Sequence, residues 1–500
     1  MRNATRSATA DRPRGTTLFL RQALLGLALA FVGIYLAIAP ARIAYPFELE
    51  WMEGACVDHV RRILAGQQLY VSPSLDFVPF VYPPLYFYLS AAVTKLTGVG
   101  FLPLRLVSFG SSLGCFALIF FMVRRQARCS FAGIVAVGLF AACYRIAGAW
   151  YDIARVDMLC LLFLLAAIYL VQLDRSWPYQ LLAGVLVALA FVTKQTALAV
   201  ALPVMLFAVA YQRGRGLVFA AAGLLLSGGA TLVLDRPHGG WYSYYVFDLP
   251  RQHEIDTAAA LGFWTTDMLA AVPLALAGVL FFLAHEARHD RRGFFLWGAV
   301  VVGAIGAAWS GRAHSGGYNN VVIPAYAALS IIFALALDTA TTTAQGRGKV
   351  VLAAVYLLCI GQFLRLGYNP RQQLPTAADR RAGEKIISAM RAIPGDVYMP
   401  YHGYLPTLAG KRSYAHAMAV WDVARGRDEQ AKERLIGEIV GAIRQRRFAA
   451  VIVDSDVFAQ PDLDSCYTRS PIQFAGNVFY PVTGMATRPK WLCLPDRRPR

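Results

Sequence analysis

Three carboxylates crowd one short stretch, Glu48-Leu-Glu50-Trp-Met-Glu53-Gly54. Carboxylates so closely spaced can take a proton from a hydroxyl, hold a cation or bind a polar acceptor. The stretch continues as Asp58-His59-Val-Arg61-Arg62, and helical spacing predicts Glu50, Glu53 and Asp58 on one stripe. The plain reading of that stripe is a solvated amphipathic helix on a bilayer. An anionic surface repels such a helix, so a polar ligand or a metal accounts for the acids better. A second constellation is Arg155-Val-Asp157-Met158, in which Asp157 opens an apolar run. An aspartate there can cap a helix or move a proton, and Arg155 supplies a cation beside it. The third is Thr193-Lys194-Gln195-Thr196, set between two apolar stretches. Lys194 could snorkel to headgroups or meet a bound phosphate. The fourth is Ser310-Gly-Arg312-Ala-His314, running on to Tyr318-Asn319-Asn320. Its Arg, His and two amides suit a turn that faces a substrate. His238, His253 and Glu254 in loop 235–265 show neither HxxE nor HxxxH spacing, so no metal site is read there.

The elements that must position these groups are apolar. The chain of 500 residues is 57% hydrophobic and 16% charged, where soluble proteins carry roughly 25% charged residues. The apolar residues gather in windows long enough to cross a hydrocarbon core of ~30 Å. These windows are 18–39, 103–124, 130–149, 157–173, 179–193, 196–211, 216–234, 266–284, 294–310, 321–338 and 349–366. The expected fold is therefore an all-α polytopic membrane bundle of about eleven spans. The first window is too long for the apolar core of a signal peptide and reads as a retained anchor.

Charge orients the bundle. The net charge of +18 comes from Lys and Arg between the windows, not from a basic helix or stripe, so no nucleic-acid partner is expected. An inside N-terminus (Arg2, Arg6, Arg12, Arg14) puts Arg124, Arg125, Arg128, Arg175, Arg213, Arg215, Arg288, Arg291, Arg292, Arg347 and Lys349 on the same side. Pro84–Gly98 is apolar but short and aromatic; counting it as a span would invert every later loop. It is read as a helix at the outer interface. The acidic loop 40–102, Asp157, Lys194, loop 235–265 and the polar turn at 311–320 then share the outer face. Residues 1–366 form the membrane domain. Residues 367–500 form a small outer α/β domain, with helices at 380–392 and 428–447 and strands at Asp396–Met399, Ala449–Asp454 and Trp491–Leu494. Cys466 and Cys493 would meet an oxidising compartment there, where a disulfide could form. Asp454-Ser-Asp456 resembles a metal-holding DxD, but a strand ending in a polar turn explains it more simply.

In order and placement these motifs resemble the GT-C superfamily of glycosyltransferases that use polyprenyl-phosphate sugars, above all the bacterial branch related to protein mannosyltransferases and lipid A aminoarabinose transferases. The acidic first loop, Gly66-x-x-Leu69-Tyr70, Tyr82-Pro-Pro-Leu-Tyr-Phe-Tyr-Leu89, Arg105-Leu-x-Ser108, Arg155-x-Asp157-Met158, Ala190-Phe-Val-Thr-Lys-Gln-Thr196 and Asn319-Asn-Val-Val-Ile-Pro-Ala325 carry the likeness. The resemblance implies an inverting transfer, hexosyl or pentosyl, from a polyprenyl-phosphate carrier in the bilayer to a glycan, lipid or protein acceptor at the outer face of the inner membrane. It assigns acid–base chemistry to Glu50, Glu53 or Asp157. It gives substrate contacts to Glu48, Tyr82, Arg155, Lys194, Gln195, Arg312, His314, Asn319 and Asn320. Metal-using relatives carry a ligand just before Pro-Pro-Leu; here Val81-Tyr82 stands there, and no cofactor is expected. A flippase passing a charged lipid would need polar groups along a path to both faces, and an inert scaffold would leave the acidic loop and Lys194 without a reason.

Overall fold

The computed structural model of the chain describes residues 15–344, 348–455 and 460–496; Arg2, Arg6, Arg12, Arg14, Arg347 and Asp456 lie outside them. Each apolar window contains helix, although the one at 130–149 leaves the helix after Ala142 and continues as turns. The windows form α1 (Thr16–Ile43), α4 (Phe101–Ala127), α5 (Ser130–Ala142), α6 (Asp157–Leu173), α7 (Trp177–Phe191), α8 (Ala197–Gln212) and α9 (Gly214–Asp235). After the loop come α10 (Thr257–Ala270), α11 (Pro273–His289), α12 (Arg291–Ala313), α13 (Ile323–Ala344) and α14 (Lys349–Arg365). Between α1 and α4 lie α2 (Glu53–Leu64) and α3 (Leu85–Thr97).

Length separates these helices. Among the described residues five are long and apolar enough to cross a membrane alone, and up to seven if each bent pair is one span. Helices α5 to α8 have 13 to 17 residues, about 20–26 Å at 1.5 Å per residue. The α7–α8 junction is a polar turn within the protein, where Thr193 is buried. Irregular backbone is tolerated at membrane depth under that condition. The expected span at 266–284 is broken: α10 and α11 meet at 86°. Pro273 brings no N–H and opens a new helix. Gln362 bridges the break, donating to the Ala271 carbonyl at 3.0 Å and accepting from the Leu274 amide at 3.1 Å. Helix α3 has 13 residues and ends at Gly98 with φ +84°. About 20 Å of helix falls short of the ~30 Å core, a length it shares with α5.

Small residues let the bundle close. A Cβ on Gly138 of α5 would stand 2.4 Å from the Ala28 Cβ of α1, so any larger residue would push these helices apart. Opposite faces carry exposed Leu29 and Leu36 on α1 and Leu224 and Leu225 on α9.

The C-terminal part contains α15 (Ala377–Ala392), α16 (Ala417–Arg425), α17 (Glu429–Arg444) and α18 (Gln460–Cys466). Its strands are β1 (Val397–Tyr398), β2 (Ala450–Val453), β3 (Tyr467–Pro471) and β4 (Trp491–Pro495), in sheet order β1-β2-β4-β3. β1 and β2 run parallel and the other pairs antiparallel. The three strands expected from sequence are present. β3 was not expected, because Tyr467-Thr-Arg-Ser-Pro471 lacks the apolar run of a buried strand. Helix α15 starts on a capping box, Thr376 with Asp379. Cys466 and Cys493 are both free. Two apolar cores result. One is the membrane bundle. The other joins Phe47, Trp51, Val57 and Tyr70 of the first loop to Tyr398, Val420, Leu435 and Val451 of the C-terminal part.

Candidate active site

The stripe expected through Glu50, Glu53 and Asp58 does not form, because α2 begins only at Glu53. Glu50 precedes it in a tight turn, with the Glu53 amide donating to the Glu50 carbonyl at 3.0 Å. Its backbone forms an isolated bridge to Thr483.

Each acid of the loop has its own environment. Glu53 is fully buried and gripped by Arg105 of α4, with Nε to Oε1 at 3.0 Å and Nη2 to Oε2 at 2.6 Å. The Leu49 amide (2.6 Å) and the Ala154 amide (2.7 Å) also donate to it. Burial alone would raise its pKa; Arg105 and these amides prevail and hold it below the usual carboxylate range. Both oxygens of this carboxylate are thus engaged by donors. Arg105 also binds the carbonyls of Tyr45 and Phe47, both at 2.6 Å, and so ties the loop to α4.

Glu50 is also buried, but less engaged. Its Oε2 accepts from the Met52 amide and from Arg155 Nη1, both at 3.3 Å. Its Oε1 is buried and has no hydrogen-bond partner among the described residues. Burial pushes Glu50 up to about 8, against the pull of Arg155. Arg155 donates to the Tyr82 hydroxyl at 2.9 Å and lies over the rings of Tyr82 and Trp150. Ser108 of α4 donates to the Arg155 carbonyl at 3.1 Å.

Asp157 is no cap, since its carboxylate reaches other helices. Its Oδ1 accepts from Lys194 Nζ at 2.7 Å and from Asn320 Nδ2 at 2.9 Å, while Oδ2 is buried without a hydrogen bond among the described residues. Lys194 therefore points into the protein, its side chain 15% exposed, and does not snorkel. Gln195 donates to the carbonyls of Val81 (2.9 Å) and Val246 (3.1 Å), bringing the Tyr82 segment against the α7–α8 turn. Through these contacts Glu50, Tyr82, Arg155, Asp157, Lys194, Gln195 and Asn320 form one constellation at one end of the bundle.

Arg312 and Asn319 lie beside it. Arg312 makes a two-point pair with Asp267 (2.8 and 3.2 Å) and donates to Asn319 Oδ1 at 2.9 Å. His314 is elsewhere: its Nε2 meets the Pro250 carbonyl at 2.9 Å and its ring lies 5.1 Å from that of His253, whose Nε2 meets the Asp422 carbonyl. The HxxxH spacing missing from loop 235–265 occurs at His285 and His289, stacked at the far end of α11. No group of three His, Cys, Asp or Glu among the described residues has the geometry of a metal site.

Three partners were not singled out from sequence. Arg42 of α1 pairs with Asp152 at 3.2 Å, both fully buried, and also binds the Tyr144 hydroxyl and the Ala149 carbonyl. It thus fixes the turn leading to Arg155; its charge at the end of an apolar helix was the available signal. Arg105 stood only as a motif residue. His402 joins Glu48 (Nδ1 to Oε2, 2.6 Å) to Asp454 (Nε2 to Oδ2, 2.9 Å). Glu48 therefore faces a histidine of the C-terminal part, and Asp454 is engaged beyond a strand-end turn.

Residues 81–241 match the family model described as dolichyl-phosphate-mannose-protein mannosyltransferase. No curated protein matches the chain. Among solved structures, ArnT from Cupriavidus metallidurans in the apo state aligns with a TM-score of 0.60 at 12% identity, covering 94% of this chain and 98% of that one. ArnT bound to undecaprenyl phosphate aligns at 0.57 and 12% identity, covering 96% and 98%. The oligosaccharyltransferase AglB of Archaeoglobus fulgidus, in complex with an inhibitory peptide and a dolichol-phosphate, aligns at 0.54 and 12% identity, covering 87% and 69%. The fold that carries this constellation is the one seen in ArnT and AglB.

Proposed function

We propose that the chain is a membrane glycosyltransferase that moves a sugar from a polyprenyl-phosphate carrier to an acceptor at the outer face of the cytoplasmic membrane, with inversion. The observation that carries this reading is Glu50: a buried carboxylate with one oxygen unpartnered among the described residues, beside Arg155 and the Asp157–Lys194 pair. The likeness to ArnT bound to undecaprenyl phosphate supports a lipid phosphate as the carrier.

In this reading Glu50 Oε1 takes the proton of the acceptor hydroxyl as that oxygen attacks the anomeric carbon. The bond from that carbon to the phosphate oxygen breaks, and polyprenyl phosphate leaves with the electron pair. Arg155 and Lys194 meet the charge that gathers on the leaving phosphate. Lys194 has two further N–H groups beyond the one given to Asp157. Asp157 and Asn320 hold the Lys194 turn in place, and Glu53 with Arg105 holds the loop.

The test is proteoliposomes loaded with a polyprenyl-phosphate sugar labelled in the sugar. Transfer predicts label joined covalently to an added acceptor, with release of polyprenyl phosphate. Label that changes leaflet while still joined to its carrier would contradict transfer and indicate a flippase.

A further inference from the structure

The mechanism above leaves unused a buried side-chain triad that joins the two ends of the chain. His402 lies just after β1 and Asp454 at the end of β2, and Glu48 opens the acidic loop. All three are buried. The two carboxylates sit on opposite ring nitrogens, so only the doubly protonated imidazolium donates to both. Burial alone would strip that proton. Asp454 and Glu48 outweigh it and lift His402 to about 10.

The backbones around the triad also touch. A Cβ on Gly54 would stand 2.3 Å from Glu48 Oε1 and 2.8 Å from the Tyr404 amide, and one on Gly403 would stand 2.4 Å from the Ala55 amide. Close to Glu50 the C-terminal part also reaches the loop through the Thr483 amide, which donates to the Leu49 carbonyl at 3.1 Å, and through His416, which meets the Trp51 carbonyl at 3.2 Å. From the membrane side the loop is held by the Leu49 amide on Glu53, and Glu53 on Arg105. Glu50 lies between these two anchors, and among the described residues its carboxylate makes two hydrogen bonds, both at 3.3 Å.

We infer that His402 is a positioning residue for the acidic loop: with Asp454 it clamps Glu48 and so sets the place of Glu50. The reaction this serves is the transfer proposed above, and the inference rests on that reading for its catalytic consequence. The C-terminal part is then a component of the site. Polar partners that orient a working group typically account for about 10–100-fold in activity.

The experiment uses the full chain in nanodiscs. H402A is expected to raise amide exchange in residues 47–56 by about tenfold or more, with α15 and α17 unchanged. It is expected to lower kcat about 10–100-fold, with the KM for the polyprenyl-phosphate sugar within about twofold. Because H402A strands two buried acids, the triple variant E48Q/H402Q/D454N serves beside it, free of charge and still able to hydrogen-bond. It should restore protection and regain about tenfold in kcat over H402A. Unchanged exchange at 47–56 in H402A, or kcat equal to wild type, overturns the inference. If the wild-type chain transfers no sugar, the proposed function fails, and the exchange result alone decides whether His402 positions the loop.

Discussion

Glu50 meets Arg155 through one carboxylate oxygen, at 3.3 Å, and its second oxygen is buried without a hydrogen bond among the described residues. Glu53, three residues on, has both oxygens on Arg105 and two backbone amides besides. Two glutamates of one loop thus have different surroundings, and under the proposed function Glu50 does the work while Glu53 supports the loop. Glu50→Gln should melt near wild type and lose about 10²–10⁴ in kcat. Glu53→Gln should lose stability, because Arg105 is left buried without its counter-charge; breaking such a pair costs about 3–5 kcal/mol. Thermal melts in detergent beside transfer rates check both. A Glu53→Gln protein as stable as wild type would refute the supporting role.

The division also sets a pH dependence. Glu50 is raised to about 8 by burial, so most of it is protonated at pH 7 and the proton-accepting form grows as pH rises. The expected kcat/KM rises with pH and levels off above about 8. The stability sign is opposite. A carboxyl with a folded pKa above its unfolded one binds more protons when folded, so its contribution to stability falls as pH climbs from the ordinary carboxylate range to about 8. A rate profile flat from pH 6 to 9 would contradict Glu50 as the base.

Lys194 should act on the leaving phosphate. Lys194→Ala is expected to lower kcat by about 10²–10³, and Lys194→Arg to recover part of it. Asn320→Ala removes one of the two donors to Asp157 Oδ1 and should fall between wild type and Lys194→Ala. Steady-state kinetics with varied carrier concentration separates kcat from KM. Equal kcat in Lys194→Ala and wild type would remove Lys194 from the chemistry.

The Arg42–Asp152 pair offers a test of support without contact. Removing either partner alone should cost about 3–5 kcal/mol, whereas Arg42→Met with Asp152→Leu should be far closer to neutral. A double-mutant cycle by thermal melting measures the coupling.

Much of the candidate site was readable from sequence because a charge in an apolar chain is conspicuous. Glu50, Arg155, Asp157 and Lys194 stand out in that way and Asn320 as a polar amide before an apolar run, and contacts among these residues and their neighbours bring them together. The helices followed from hydropathy for the same reason. The pairings were not readable. Glu48 and His402 are 354 residues apart, and nothing local in Tyr401-His-Gly-Tyr404 announces a partner in the first loop. The difference between Glu50 and Glu53 also lies in which donors arrive from α4 and from residue 154, and spacing within the loop says nothing of these. Hydropathy could not reveal the break at Pro273 either, because Gln362 on α14 is what makes that bend tolerable.

The most direct measurement of the central claim is single-turnover release of polyprenyl phosphate from a labelled polyprenyl-phosphate sugar, comparing wild type with Glu50→Gln at equal melting temperature. Acceptor-dependent release by wild type, slowed at least about 10²-fold in Glu50→Gln, is the predicted result. Release by Glu50→Gln at the wild-type rate, or none by wild type with any donor, would contradict the account.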